Sequence, residues 1–93
     1  MNFSDDPERP NYKQVYLVRD FVFQSFEQAM KFMAEVGKFA SESDHHPRWM
    51  NVWNTVRVWL STWDAGSRIT PLDTQLARHM ERKYEIIRFD PAH

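Results

Sequence analysis

Apolar and polar residues alternate along this chain in a way that divides it into successive elements. Val15, Leu17, Phe21 and Phe23 share one face at period two, with Arg19 the one interruption. That predicts a half-buried strand within Tyr12–Phe23. Ser25, with Gln28 three residues on, has the form of a capping box. Behind it Phe26, Ala29, Met30, Met33, Val36 and Ala40 recur at spacings of three and four, which predicts a helix from Phe26 to Ser41. Gly37 costs that helix about 1 kcal/mol against alanine, and the apolar stripe outweighs it. After the polar segment Glu42–Arg48, alternation resumes from Trp49 to Trp63. Val52, Val56, Val58 and Leu60 fall largely on one face, and Trp53, Arg57, Trp59 and Trp63 on the other. The stretch is long for one strand and admits a bend or tight turn near Asn54-Thr55. Asp64–Arg68 reads as a loop. Thr70 caps a second helix, with Pro71 at its first position and Asp73 at its third, where a carboxylate suits the helix dipole. Leu72, Leu76, Ala77 and Met80 form its buried stripe. Tyr84, Ile86, Ile87 and Phe89 predict a final strand over Lys83–Phe89, ended by Pro91.

The expected order is therefore β, α, one or two β, α, β. No glycine-rich βα turn occurs, so the fold class is α+β: an antiparallel sheet with helices packed on one face. Met1–Asn11, with Pro7, Pro10 and almost nothing apolar after Phe3, reads as a mobile lead-in to a single domain over 12–90. The 93 residues suit one domain, and a domain of that size buries only about 60–65% of the surface its unfolded chain exposes. Four Trp and seven Phe argue against a disordered chain. The absence of cysteine excludes a disulfide scaffold, a thiolate-ligated zinc and a thiol nucleophile. No apolar run approaches the ~20 residues that cross a bilayer, and no signal segment follows Met1, so a cytoplasmic protein is expected. A net charge of −1 argues against direct nucleic-acid binding, which usually needs a basic face.

Candidate chemistry centres on His45 and His46, set between Asp44 and Pro47 before a strand. Imidazole gives and takes protons near neutrality, so the two rings suit an acid–base pair; by spacing alone a solvated loop that happens to hold two His is the favoured reading. Metal is the weaker reading, because adjacent residues in an extended segment point to opposite sides and no matching ligand spacing occurs elsewhere. His79 reads as a partly exposed helix residue. The Trp row suits stacking on a planar heterocycle, but three exposed Trp would form a large apolar patch. Trp53 and Trp59 are therefore assigned to core or interface, and Trp63, beside the loop, to ligand contact. The need to cover the row predicts a homodimer or homotetramer.

The run Asp44-His45-His46-Pro47, followed by Trp49, Asn51, Val52 and the aromatic Trp53, resembles the pterin-4a-carbinolamine dehydratase family. Its pattern of an acidic residue, His-His-Pro, an aromatic, His or Trp ten residues later and then Asp is matched by Trp53, Trp63 and Asp73. Upstream, Phe21–Phe26 and Phe32-Met33 resemble the family's passage from strand to helix, and the likeness covers about Val15 to Met80. Many members carry a third His where Trp63 stands, and Ser41 occupies the acidic position before His45. Members also begin with a helix and a strand expected to be missing here, the C-terminal strand taking the vacant place in the sheet. The resemblance implies a lyase that dehydrates 4a-hydroxytetrahydropterin to quinonoid dihydropterin in tetrahydropterin recycling, with neither metal nor bound cofactor. It implies His45 and His46 as acid and base and Asp73 as the residue that orients a histidine or closes the site. Asp44, Ser61, Thr62, Trp63 and Asp64 would line the pterin pocket. A different class remains open: a binding protein on the same fold, serving as dimerisation cofactor of a transcription factor or as an assembly factor. Relatives with that role alone tend to lose the His pair, which is kept here. A single-stranded nucleic-acid platform on the Trp face is disfavoured by the charge.

Overall fold

The computed structural model describes residues 2–5, 15–62 and 68–90. Its elements run β1 (Asn2–Asp5), β2 (Val15–Val22), α1 (Phe26–Glu42), β3 (Arg48–Val52), β4 (Thr55–Leu60) and α2 (Pro71–Arg88). The strands form one antiparallel sheet in the order β1-β2-β4-β3, and both helices lie on one face of it. The α+β class with one-sided helices is therefore as expected.

Arg19 no longer interrupts its strand. The inward face of β2 carries Phe21, which is fully buried, and Arg19 lies on that same face. Its guanidinium sits 4.6 Å from the Phe21 ring centre and 5.2 Å from that of Tyr84, while its Nε reaches Glu81 of α2 at 2.7 Å. The stem covers apolar surface and the charge emerges at the edge, as long basic side chains allow. Phe21, Phe23, Phe32 and Tyr84 stack about one another with centroids 4.8–5.2 Å apart. With Val36, Val56, Val58, Leu60, Leu76, Met80 and Ile87 they make the core between sheet and helices. Phe26, the first residue of the predicted apolar stripe, is instead 43% exposed at the first turn of α1.

The start of α1 follows the expected cap in one direction only. Ser25 Oγ accepts from the Gln28 N–H at 3.1 Å. The buried Gln28 side chain accepts from the Gln24 N–H at 2.8 Å and donates to the Ile87 carbonyl at 3.1 Å. It thus ties the first turn of α1 to the last turn of α2.

The long alternating stretch is a hairpin. Val52 pairs with Thr55 across the two-residue turn Trp53-Asn54, with Trp53 at φ 49°. Pairing 52 with 55 puts Val52 on the face of Arg57, so it lies 63% exposed, away from Val56, Val58 and Leu60. Read as one continuous strand, the period had placed Val52 inward. A hairpin reverses that parity, since directly paired residues share a face. Trp49 takes the inward place, half-buried opposite Val58, while Trp53 is 68% exposed at the tip.

Two expectations at the chain ends are corrected. Residues 83–88 are not a strand but the last turns of α2, which runs unbroken from Pro71 to Arg88. Leu76, Met80, Tyr84 and Ile87 are buried as one stripe at helical spacing, whereas Ile86 and Phe89 are 65% and 66% exposed. Four apolar residues within Tyr84–Phe89 fit either period, and no Gly or Pro stands between Thr74 and Asp90 to stop the helix. At the other end, Asn2–Asp5, read as part of a mobile lead-in, pairs with Val15–Val18 as an edge strand. The sheet position thought vacant is filled by β1, and the compensating C-terminal strand does not exist.

Candidate active site

The pocket forms where α1 ends, β4 ends and α2 begins. After Ser43 at the C-cap of α1, Asp44 takes the left-handed conformation with φ 50°. The Asp44 N–H donates to the Ser41 carbonyl at 3.2 Å and the His45 N–H to the Ala40 carbonyl at 3.0 Å. These are the two bonds of a Schellman motif, with aspartate where glycine is usual. The reversal turns His45 inward, 9% exposed, and leaves His46 in solvent. Pro47 disfavours helical geometry at His46, and the two imidazoles differ in burial while both line one opening.

His45 meets α2. Its Nε2 lies 2.6 Å from Asp73 Oδ1, and Asp73 is fully buried. The other carboxylate oxygen, Oδ2, accepts the Thr62 hydroxyl at 2.6 Å and the Thr70 N–H at 2.9 Å. A buried carboxylate is costly unless its oxygens are hydrogen-bonded, and here both are. The sequence accounts for each partner's place: Thr70 caps α2 and Asp73 sits three residues on, in capping-box relation. Thr62 follows β4 and is fixed by its N–H to the Arg68 carbonyl at 2.8 Å.

Above this pair opens a pocket of about 350 Å³, lined by Asp44, His45, His46, Pro47, Arg48, Ser61, Thr62 and Leu72. Ser61 is 6% exposed, and its hydroxyl finds no partner among the described residues. Asp44, His45, His46, Ser61 and Thr62 are thus brought together at one opening, with Asp73 beneath His45. Trp63 and Asp64 lie outside the described residues. Sequence reasoning passed over Arg48, which stands at the pocket wall directly after Pro47 and 5.3 Å from the Trp59 ring centre. It also read Thr70 only as a helix cap. No signal in one sequence places Leu72, the second residue of α2, at the opening rather than in the core.

His79 belongs elsewhere. It stacks on Phe39 in the seam between α1 and α2, with centroids 3.9 Å apart and planes 8° from parallel. Burial, followed by the nearby charges of Lys83 and Arg82, lowers its pKa, against an opposing pull from Glu35 and Glu42. Among the described residues no three His, Asp or Glu side chains gather as a metal-binding group, and no helix is long and apolar enough to cross a membrane.

The family described as pterin 4 alpha carbinolamine dehydratase matches residues 8–83. A protein of Rhodopseudomonas palustris, provisionally named pterin-4-alpha-carbinolamine dehydratase, is 50% identical over 64 residues, covering 69% of this chain and 62% of that protein. One of Nitrobacter winogradskyi, provisionally given the same name, is 44% identical over 77 residues, covering 78% of this chain and 75% of the other. The matched segment spans 61–62% of the length of the first three such relatives. The crystal structure of a transcriptional coactivator/pterin dehydratase from Brucella melitensis superposes with a TM-score of 0.72 at 32% identity, over 88% of this chain and 81% of that one.

Proposed function

Because the chain belongs to the pterin 4 alpha carbinolamine dehydratase family, we propose that it dehydrates a 4a-hydroxytetrahydropterin to the quinonoid dihydropterin, in the cytoplasm, as a step of tetrahydropterin recycling. The reaction breaks the N5–H bond, and its electron pair forms the N5–C4a double bond. The C4a–O bond breaks, and the hydroxyl departs with an added proton as water. One group must therefore accept a proton and another supply one, each working best with a pKa near the ambient pH.

The observation that carries this reading is the contact between His45 Nε2 and the buried Asp73 carboxylate at the base of the pocket. Asp73 acts only as an acceptor there, so His45 keeps its proton on Nε2 and presents the lone pair of Nδ1. His46, exposed at the rim, is free to exchange protons with solvent and suits the opposite role. Asp44 and the Ser61 hydroxyl, unpartnered among the described residues, supply polar contacts for the flat heterocycle, and Trp63 and Asp64 are proposed to complete the enclosure.

The test is an absorbance assay on chemically generated 4a-carbinolamine with wild type, His45→Ala and His46→Ala. Each substitution is expected to lower the rate about 10²–10⁴-fold, the usual share of one acid–base group. Wild type no faster than buffer refutes the enzyme reading. Two alanine variants as fast as wild type refute the site while leaving the activity.

A second reading has one observation behind it: the Brucella relative is named a transcriptional coactivator as well as a pterin dehydratase. A protein-binding role on the same fold would survive loss of both histidines, whereas dehydration would not.

A further inference from the structure

Thr62 and Thr70 approach each other with hydroxyl oxygens 2.6 Å apart. Thr62 Oγ1 also lies 2.6 Å from Asp73 Oδ2. A hydroxyl has a single proton to give. The carboxylate can only accept, so the proton of Thr62 is committed to Asp73, and the contact between the two threonines is one in which Thr70 donates. The hydrogen bonds therefore run in one direction, from Thr70 to Thr62 to Asp73 Oδ2, while Asp73 Oδ1 accepts the hydrogen bond that His45 Nε2–H donates. The backbone N–H of Thr70 also donates to Oδ2, at 2.9 Å. One residue thus supports the carboxylate twice, by its amide and through its hydroxyl.

We infer that Thr70 is a positioning residue for His45. Its hydroxyl polarises Thr62 by donating to it and its amide donates to Oδ2 directly, and the carboxylate so oriented holds His45 as its Nε2–H tautomer with Nδ1 as the free base. Without the Thr70 hydroxyl, Thr62 still donates to Asp73 but is no longer polarised and held by a donor of its own. Its bond to Oδ2 is then weaker, and the carboxylate holds the ring less firmly. The kinetic consequence rests on the dehydratase reading; the tautomer of His45 does not.

A helix cap and a positioning residue respond differently to substitution. Replacing an N-cap threonine by glycine costs the helix only a few tenths of a kcal/mol, whereas a bulky apolar residue there is poorly tolerated. Both remove the hydroxyl. Thr70→Gly, Thr70→Val and Thr70→Ser are therefore compared by pH–rate profile for dehydration and by ¹⁵N resonances of the His45 ring. Thr70→Gly and Thr70→Val are each expected to lose about 2–10-fold in kcat with KM little changed, the size that the loss of one neutral hydrogen bond converts to. Their ring resonances should show a mixture of tautomers. Thr70→Ser should retain both the rate and the Nε2–H signature. Thr70→Gly with wild-type kcat and wild-type ring shifts overturns the inference, whatever Thr70→Val does. Should wild type fail to dehydrate the carbinolamine, the proposed activity falls, and the ring resonances of Thr70→Gly alone decide: mixed tautomers uphold the positioning role, unchanged ones refute it.

Discussion

Asp44 and Asp73 illustrate how single residues shape this pocket by different means. Asp73 is a helix-start carboxylate that a dipole argument explains, yet its complete burial follows from the histidine it holds. Asp44 acts through its backbone. Its φ of 50° reverses the chain after α1 and sends His45 inward and His46 outward. A non-glycine residue in that region is strained by about 1–2 kcal/mol, least so for Asp and Asn. Asp44→Gly is accordingly expected to raise stability by up to about 1 kcal/mol, the relief being partly offset by the extra freedom of the unfolded chain. Its carboxylate lines the pocket, so substrate binding should weaken in the same variant. Denaturant unfolding beside KM measures both, and a variant less stable than wild type would contradict the strain argument.

At the scale of elements, the seam between α1 and α2 sets how far the second helix extends. Tyr84 and Ile87 continue the buried stripe begun by Leu76 and Met80, and Lys83 Nζ reaches Glu35 Oε1 at 3.3 Å. His79 lies in that seam, stacked on Phe39, with Nε2 buried and unpartnered among the described residues. Burial and the neighbouring Lys83 and Arg82 hold its pKa below the ordinary 6.5, against Glu35 and Glu42. The folded state thus disfavours a proton that the unfolded chain accepts readily. Its contribution to stability is full above about pH 6.5 and is lost as pH falls below that value, until the folded pKa is also passed. His79→Phe keeps an aromatic ring against Phe39 and removes the titration. Its melting temperature should therefore fall less between pH 7 and pH 5 than that of wild type. Equal slopes for the two proteins would assign the acid sensitivity to other groups.

For the whole molecule, the consequence of one-sided helices is a sheet face that no other described element covers. On it Val22, Met50, Val52 and the hairpin-tip Trp53 are 47–68% exposed. The Arg57–Asp20 pair, with two contacts at 2.7 and 2.9 Å, lies among the polar residues of that face. Exposed apolar surface of this kind favours association, and a homodimer or homotetramer remains the proposed state. Sedimentation equilibrium at micromolar concentration should give a mass above that of one chain; a strictly monomeric mass would refute it.

β2, the stretch that holds β3 and β4, the helix starts and most of the core were legible in the sequence because each depends on a local period or a local hydrogen bond. β1 was not, since its four residues become a strand only by pairing with β2. Ser25, Thr70 and Pro71 announce helix starts, and Phe21, Val56 and Leu60 announce buried faces. The His-His-Pro run and Asp73 were legible as candidates because their residue types and spacing carry a family pattern. Three further features needed the tertiary structure. The inward or outward sense of Val52 depends on strand pairing across the Trp53-Asn54 turn, which period alone does not fix. The state of residues 83–88 depends on α1, against which a short apolar run of either period can be buried. The pocket's hydrogen-bond order depends on Thr62, Thr70 and Asp73 arriving from the end of a strand and the start of a helix at 2.6–2.9 Å. Sequence supplies those hydroxyls and that carboxylate; only the packing of β4 against the first turn of α2 decides which proton each one holds.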